Sequence, residues 1–115
     1  ALAHGHKVEV VEAQQLERLL PQGAVHQGLV FKVQPLEGVA LEDIAEPAEG
    51  VIVMLDQLTD PQNVGAIFRS ALAFGARGIV VQDRHSPVLA GALAKAAAGA
   101  TERLPCARVT NLSRA

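Results

Sequence analysis

The chain has no tryptophan and no tyrosine, and only three phenylalanines, one methionine and one cysteine among 115 residues. With aromatics at 3% and hydrophobic residues at 50%, its core has to be built from alanine, valine, leucine and isoleucine. Such a composition suits helices packed on a parallel sheet, whose buried strands read as continuous aliphatic runs. The lone Cys106 excludes an intramolecular disulfide and fits a reducing compartment. No apolar stretch approaches the roughly 18 residues of a membrane span, and the N-terminal ALAHGH lacks the charged-then-apolar plan of a secretory signal. A soluble cytoplasmic protein is therefore expected. Basic charge is not in excess either. At a net charge of −2 there is no global signature of nucleic-acid binding, so an RNA partner would have to be held by local groups. No G-x-G-x-x-G or P-loop follows any strand-like run, which argues against a generic nucleotide-binding α/β domain. The length allows one modest domain or pieces of two.

What is present falls into two textures. Lys7–Val11 is a β-branched run that predicts a strand. A helix is expected over Glu12–Leu20, with Leu16, Leu19 and Leu20 on one face and Pro21 and Gly23 ending it. The segment Gly23–Val33 reads as a loop leading into a second strand. The stretch from Gln34 to Gly50 holds two prolines, two glycines and five acidic residues, and within it residues 36–50 read as a linker with one helical turn near Leu41–Ile44. From Val51 onward the pattern becomes strict alternation. Strands are expected at Val51–Leu55, Gly78–Val81 and Leu104–Val109, with helices at Val64–Phe74 and Val88–Ala98. Asn111 or Ser113 is placed to open another helix. This is the pattern of right-handed βαβ units on a parallel sheet. A sheet of only three such strands leaves apolar surface to be covered by more chain or by a second subunit.

The most informative stretch is Leu55-Asp56-Gln57-Leu58-Thr59-Asp60-Pro61-Gln62-Asn63-Val64-Gly65, followed by Ala66–Ala76. A buried strand breaks at a polar turn and opens a helix, which puts polar groups just beyond a strand's carboxyl end, where open α/β sheets hold their ligands. One explanation is punctuation alone, since Asp60 is a good N-cap and Pro61 is favoured at the first helical position. Gly65 strains that explanation. Glycine in a helix costs about 1 kcal/mol relative to alanine, so its place in the first turn points to a close approach of something to the backbone. At about 100° per residue, Val64, Ile67, Phe68, Ala71 and Leu72 form one apolar stripe. Arg69 lies beyond one edge of it, and Asn63 and Ser70 beyond the other. Arg69 is either a solvated helix-face arginine or a guanidinium set to bind phosphate beside a helix N-terminus. Spacing alone leaves both readings open. Asn63 can likewise be a first-turn cap.

Residues 51–76 resemble the first signature motif of the SpoU (TrmH-type) RNA ribose 2′-O-methyltransferases, of the knotted SPOUT class. The likeness lies in Asp60-Pro61, Asn63, Gly65-Ala66-Ile67, Arg69-Ser70-Ala71 and Phe74-Gly75-Ala76. It continues in Lys95–Glu102, Pro105 and Val109–Leu112, which are similar to the family's KxxxGAxE…P…NL segment. Gly23–Gly28 is similar to the close of the small RNA-binding domain that precedes the catalytic domain in the rRNA guanosine-2′-O branch.

The resemblance implies an α/β chain. Residues 1–35 would be the C-terminal part of a small α/β RNA-binding domain and 36–50 a linker. Residues 51–115 would be the front half of an α/β-knot methyltransferase domain. It implies S-adenosylmethionine as methyl donor, RNA as partner (rRNA ahead of tRNA) and a homodimer. Arg69 takes the family's catalytic position, Asn63 and Ser70 the substrate side, and His26 and Gln27 the RNA-binding half. Glu102 matches a family acid, which could instead pair with Arg103 or Lys95. Neither His85 nor Asp83 has a partner at metal-ligand spacing, so no metal is proposed. Nothing resembles the family's two later cofactor motifs, so the cofactor pocket is expected beyond Ala115, and methyl transfer is not expected of this chain alone. The alternative is a catalytically silent RNA-binding or dimerisation module.

Overall fold

The computed structural model describes residues 5–84, 86–89 and 91–115. The readings that rest on Ala1–His4 and on His85 lie outside the described residues. The chain divides into two compact units, Ala1–Gln34 and Pro35–Ala115.

The first unit contains one helix, α1 (Ala13–Arg18), inside the range expected from sequence. Its start is held by Gln15, whose side-chain oxygen accepts from the Glu12 amide at 3.3 Å. The strands expected at 7–11 and in the run to Val33 are not formed among the described residues. Val10, Leu29, Phe31 and Val33 are exposed instead. A β-branched run becomes a strand only when a neighbouring strand takes its backbone donors and acceptors, and these runs have no such neighbour.

The second unit is built on a parallel sheet of β1 (Ile52–Leu55), β2 (Gly78–Gln82) and β3 (Cys106–Val109), in that spatial order. Ile52 is in register with Gly78, and Ile79 with Cys106. The connections are α3 (Pro61–Ala73) between β1 and β2, and α4 (Gly91–Ala97) with α5 (Ala100–Arg103) between β2 and β3. Two successive right-handed crossovers that step in one direction place their helices on the same face of a sheet. The packing follows that rule. Leu55, Ile79, Val81 and Cys106 meet Val64, Phe68 and Ala71 of α3, Leu93 and Ala97 of α4, and Ala100. Phe68, at 0% exposure, lies at the centre of this core.

The residues between, Val80 and Ala107, point to the opposite face and meet Ile44 of α2 (Leu41–Ala45). The stretch expected to be a linker, 36–50, thus groups with the sheet and supplies the cover of its second face. The expected helical turn near Leu41–Ile44 is present there as α2. The Ala-rich helix expected through Ala98 ends at Ala97. Gly99, at φ 86°, redirects the chain into α5. At the far end Asn111 opens a turn, its side chain accepting from the Ser113 amide at 2.9 Å.

Candidate functional site

The turn after β1 is polar and exposed through Asp56, Gln57, Thr59 and Asp60. Gln57 adopts φ 52°, a left-handed conformation that lets the chain leave the strand and rise into α3. Asp60 then caps α3. Its carboxylate accepts from the Gln62 amide at 3.0 Å, and Pro61 occupies the first turn. With Asp60 as the cap, Asn63 is free of that duty. It is exposed and forms no side-chain hydrogen bond among the described residues. The cap reading of Asn63 therefore falls to Asp60.

Val64, Gly65, Phe68 and Ala71 are the buried residues of α3, so the helical wheel drawn from sequence describes the real face. Asn63, Arg69 and Ser70 are all exposed. Asn63 and Ser70 are seven positions apart, about 20° around the helix and about 10 Å along it, and share one side. Arg69 stands about 120° from Asn63 on the other flank. It enters no ion pair among the described residues, so its guanidinium is available to an anion. His26 and Gln27 belong to the first compact unit. His26 is half-buried, and its Nδ1 accepts from the Gly28 amide at 2.9 Å. Gln27, at φ 50°, is exposed in the same turn.

Gly65 has a structural partner that the sequence did not reveal. A Cβ there would fall 2.5 Å from the Leu93 carbonyl oxygen, 2.7 Å from Ala96 Cβ and 3.0 Å from the Ala97 nitrogen. The close approach inferred from this glycine is that of α4. Glu102 accepts from the Thr101 hydroxyl at 3.0 Å and does not pair with Arg103 or Lys95. Arg108 donates to the Pro87 carbonyl at 2.9 Å, which ties the loop after β2 to β3. Arg77, which the sequence reading passed over, donates to the carbonyls of Glu46, Pro47 and Glu49. Its spacing of about thirty residues from those acceptors leaves no local signal.

Two concavities lie beside these elements. A groove of about 410 Å³ runs along the free edge of β1, lined by Val53, Ile67, Phe74 and the single hydroxyl of Ser70. A smaller one of about 240 Å³ lies between residues 36–39 and the start of β3. The first has the Ser70 hydroxyl as its one polar side-chain group, whereas the second is lined by Glu37, Thr101, Glu102 and Arg103 as well as by apolar side chains. Every buried polar side-chain atom among the described residues is satisfied, so no orphaned group awaits a ligand. Among the described residues no group of three or more His, Cys, Asp or Glu side chains is arranged to hold a metal. No described helix is long and apolar enough to cross a membrane.

Comparisons with known proteins agree on one family. The model of the SpoU rRNA methylase family matches residues 50–115. A protein of Synechocystis described as an uncharacterised tRNA/rRNA methyltransferase is 40% identical over 120 residues, covering 100% of this chain and 31% of its own length. A protein of a Mycobacterium species, likewise described as an uncharacterised tRNA/rRNA methyltransferase, is 37% identical over 119 residues, covering 99% of this chain and 38% of its own. The chain thus spans about a third of the length of these relatives. Among solved structures, an AdoMet-bound rRNA methyltransferase from Sinorhizobium meliloti superposes with a TM-score of 0.57 at 32% identity, covering 63% of this chain and 28% of that one. The SpoU methyltransferase AviRb from Streptomyces viridochromogenes gives 0.58 at 29% identity, over 69% of this chain and 31% of its own.

Proposed function

Because the chain belongs to the SpoU rRNA methylase family, we propose that it is the front part of an RNA ribose 2′-O-methyltransferase acting on a guanosine of rRNA. The observation that supports this reading most directly is the outward display of Asn63, Arg69 and Ser70 on a helix whose start is already capped by Asp60. These side chains are not consumed by the fold. Asn63 stands just after the carboxyl end of β1, where α/β sheets place their ligands, and Arg69 and Ser70 lie about two turns farther along α3.

Arg69 binds the phosphate beside the target ribose and stabilises the alkoxide that develops on the 2′-oxygen. It is not the base, because a guanidinium offers only donors and no acceptor to take a proton. Asn63 and Ser70 orient the nucleotide by hydrogen bonds from the opposite flank. His26 and Gln27 belong to an RNA-contacting first unit. S-adenosylmethionine supplies the methyl group when bound. No residue of this chain is assigned to its pocket, and no step is routed through the cofactor here. The working protein is a cytoplasmic homodimer that meets rRNA.

The test is methyl transfer to an rRNA fragment by the protein that carries this chain together with a cofactor pocket. Arg69→Ala should lower single-turnover transfer by about 10²–10³, the loss typical of one electrostatic donor. Arg69→Lys should recover only part of it, since ammonium keeps the charge without the planar fork. Full turnover by the lysine variant would remove the clamp role.

A second reading, favoured by the apolar lining of the larger cavity, is that this chain alone is a catalytically silent RNA-binding or dimerisation module. Tight binding of S-adenosylmethionine to the 115-residue chain in isothermal titration would exclude it.

A further inference from the structure

We propose that residues 39–50 are a strap clasped onto the sheet of the second unit, so that the first unit hangs on a tether of about four residues, 35–38, rather than on a long flexible linker. The strap is fastened at both ends and in the middle. Near its start the Val39 amide donates to the Cys106 carbonyl at 3.0 Å, and Val39 forms a parallel bridge with Ala107 at the open edge of β3. In the middle Ile44, at 3% exposure, seats on Val80 and Ala107. At its end the Arg77 guanidinium gathers the carbonyls of Glu46, Pro47 and Glu49, with 2.7 Å to Glu46 and 2.9 Å to Glu49. The Arg77 amide adds a bond to the Val51 carbonyl at 2.8 Å.

The glycines report the same seat independently. A Cβ on Gly78 would fall 2.8 Å from Ile44 Cγ2, one on Gly50 would fall 2.9 Å from Arg77 Cδ, and one on Gly38 would fall 3.3 Å from the Cys106 carbonyl oxygen. Gly38 and Gly78 are therefore cut back to backbone where the strap meets the sheet, while Gly50, at φ 81°, is favoured by its left-handed backbone as well. The family match begins at residue 50 and so leaves the strap out.

The consequence is one of reach. A free coil over 35–50 would have a root-mean-square span of roughly 20–24 Å, whereas residues 35–38 alone span roughly 10–12 Å. On the reading of the first unit as RNA-binding, the strap narrows the range over which RNA is offered to α3. The strap itself does not depend on that reading.

Amide hydrogen exchange on the 115-residue chain, resolved by residue, tests the clasp. In the wild type the amides of Val39 and Glu46, which are bonded to Cys106 and to Glu42, should exchange at least about tenfold more slowly than that of Leu36. A helix as short as α2 is not stable unaided, so its protection reports the clasp. Arg77→Met should speed Glu46 by about tenfold or more while Ile79, bonded to Pro105, stays protected. Gly50→Ala, which pushes on the clasp from the loop side, should act in the same direction. Three results would overturn the proposal: Val39 and Glu46 exchanging as fast as Leu36 in the wild type, no change in either variant, or equal loss at Ile79 in both. None of these readouts involves RNA or methyl transfer, so failure of the functional reading is seen separately.

Discussion

Gly65→Ala separates two explanations of the same residue by the sign of its effect. In an open helix the change should stabilise by about 1 kcal/mol, because alanine loses less backbone entropy than glycine. Here the new Cβ would sit 2.5 Å from the Leu93 carbonyl oxygen, 2.7 Å from Ala96 Cβ and 3.0 Å from the Ala97 nitrogen. Two of those atoms are backbone, so relief cannot come from a side-chain rotation. Helix α4 must shift by several tenths of an ångström, and that loosens Leu93 and Ala97, both at 0% exposure. Overpacking of this kind costs about 1–3 kcal/mol. Backbone opponents argue for the upper half of that range. After the propensity gain the expected net loss is about 1–2 kcal/mol, or a fall in melting temperature of roughly 3–10 °C for a domain of this size. Thermal and urea unfolding followed by circular dichroism measure it. A melting temperature that stays level or rises would refute the seating of α4 on Gly65. It would return the glycine to the other explanation, in which an RNA backbone approaches the helix.

Two further perturbations test the turn and the core. Asp60→Ala removes the acceptor of the Gln62 amide and should cost about 1 kcal/mol in urea unfolding, whereas Asp60→Asn should stay within a few tenths because amides cap nearly as well. Burial at the sheet pushes the Cys106 thiol pKa above its ordinary 9.0, with Arg108 pulling weakly the other way. The folded state then keeps a proton that the unfolded chain releases, so the contribution is complete below pH 9 and is lost as pH rises through the folded value. The urea midpoint should fall more between pH 8 and pH 10 for the wild type than for Cys106→Ala, and equal falls would refute it.

Some of this molecule was readable from its residues because burial leaves a pattern. Residues 78–82 are a nearly uninterrupted aliphatic run, as a strand covered on both faces must be, whereas residues 52–55 read the same way although Met54, on the edge strand, is 48% exposed. The apolar stripe of α3 placed Arg69 on one flank and Asn63 on the other. Three features escaped for reasons that are equally physical. The run at 7–11 has strand composition, but composition cannot supply a partner strand. Residues 36–50 have the proline, glycine and acid content of a linker, and their attachment depends on Arg77, far along the chain from the carbonyls it binds. The purpose of Gly65 is set by Leu93 and Ala96, which share no local pattern with it.

The placement of Gly65 also bears on how the site can work. If α4 occupies the glycine side of α3, a substrate cannot lie against the backbone there, and approach is limited to the exposed arc from Arg69 round to Asn63. Along that arc the side chains are Arg69, Gln62, Ala73, Ala66, Ser70 and Asn63 in angular order, at about 100° per residue. The two alanines leave space between the guanidinium and the amide. The five acidic residues of 35–50, namely Glu37, Glu42, Asp43, Glu46 and Glu49, are exposed on the segment that covers the other face of the sheet. Their charge repels phosphate from that face, while Arg69 offers it an unpaired cation. Under the proposed function, helix packing would thus limit where a nucleotide can lie, and the acidic segment would disfavour its approach from the other face. Both constraints are in place in these 115 residues without any contribution from a methyl donor.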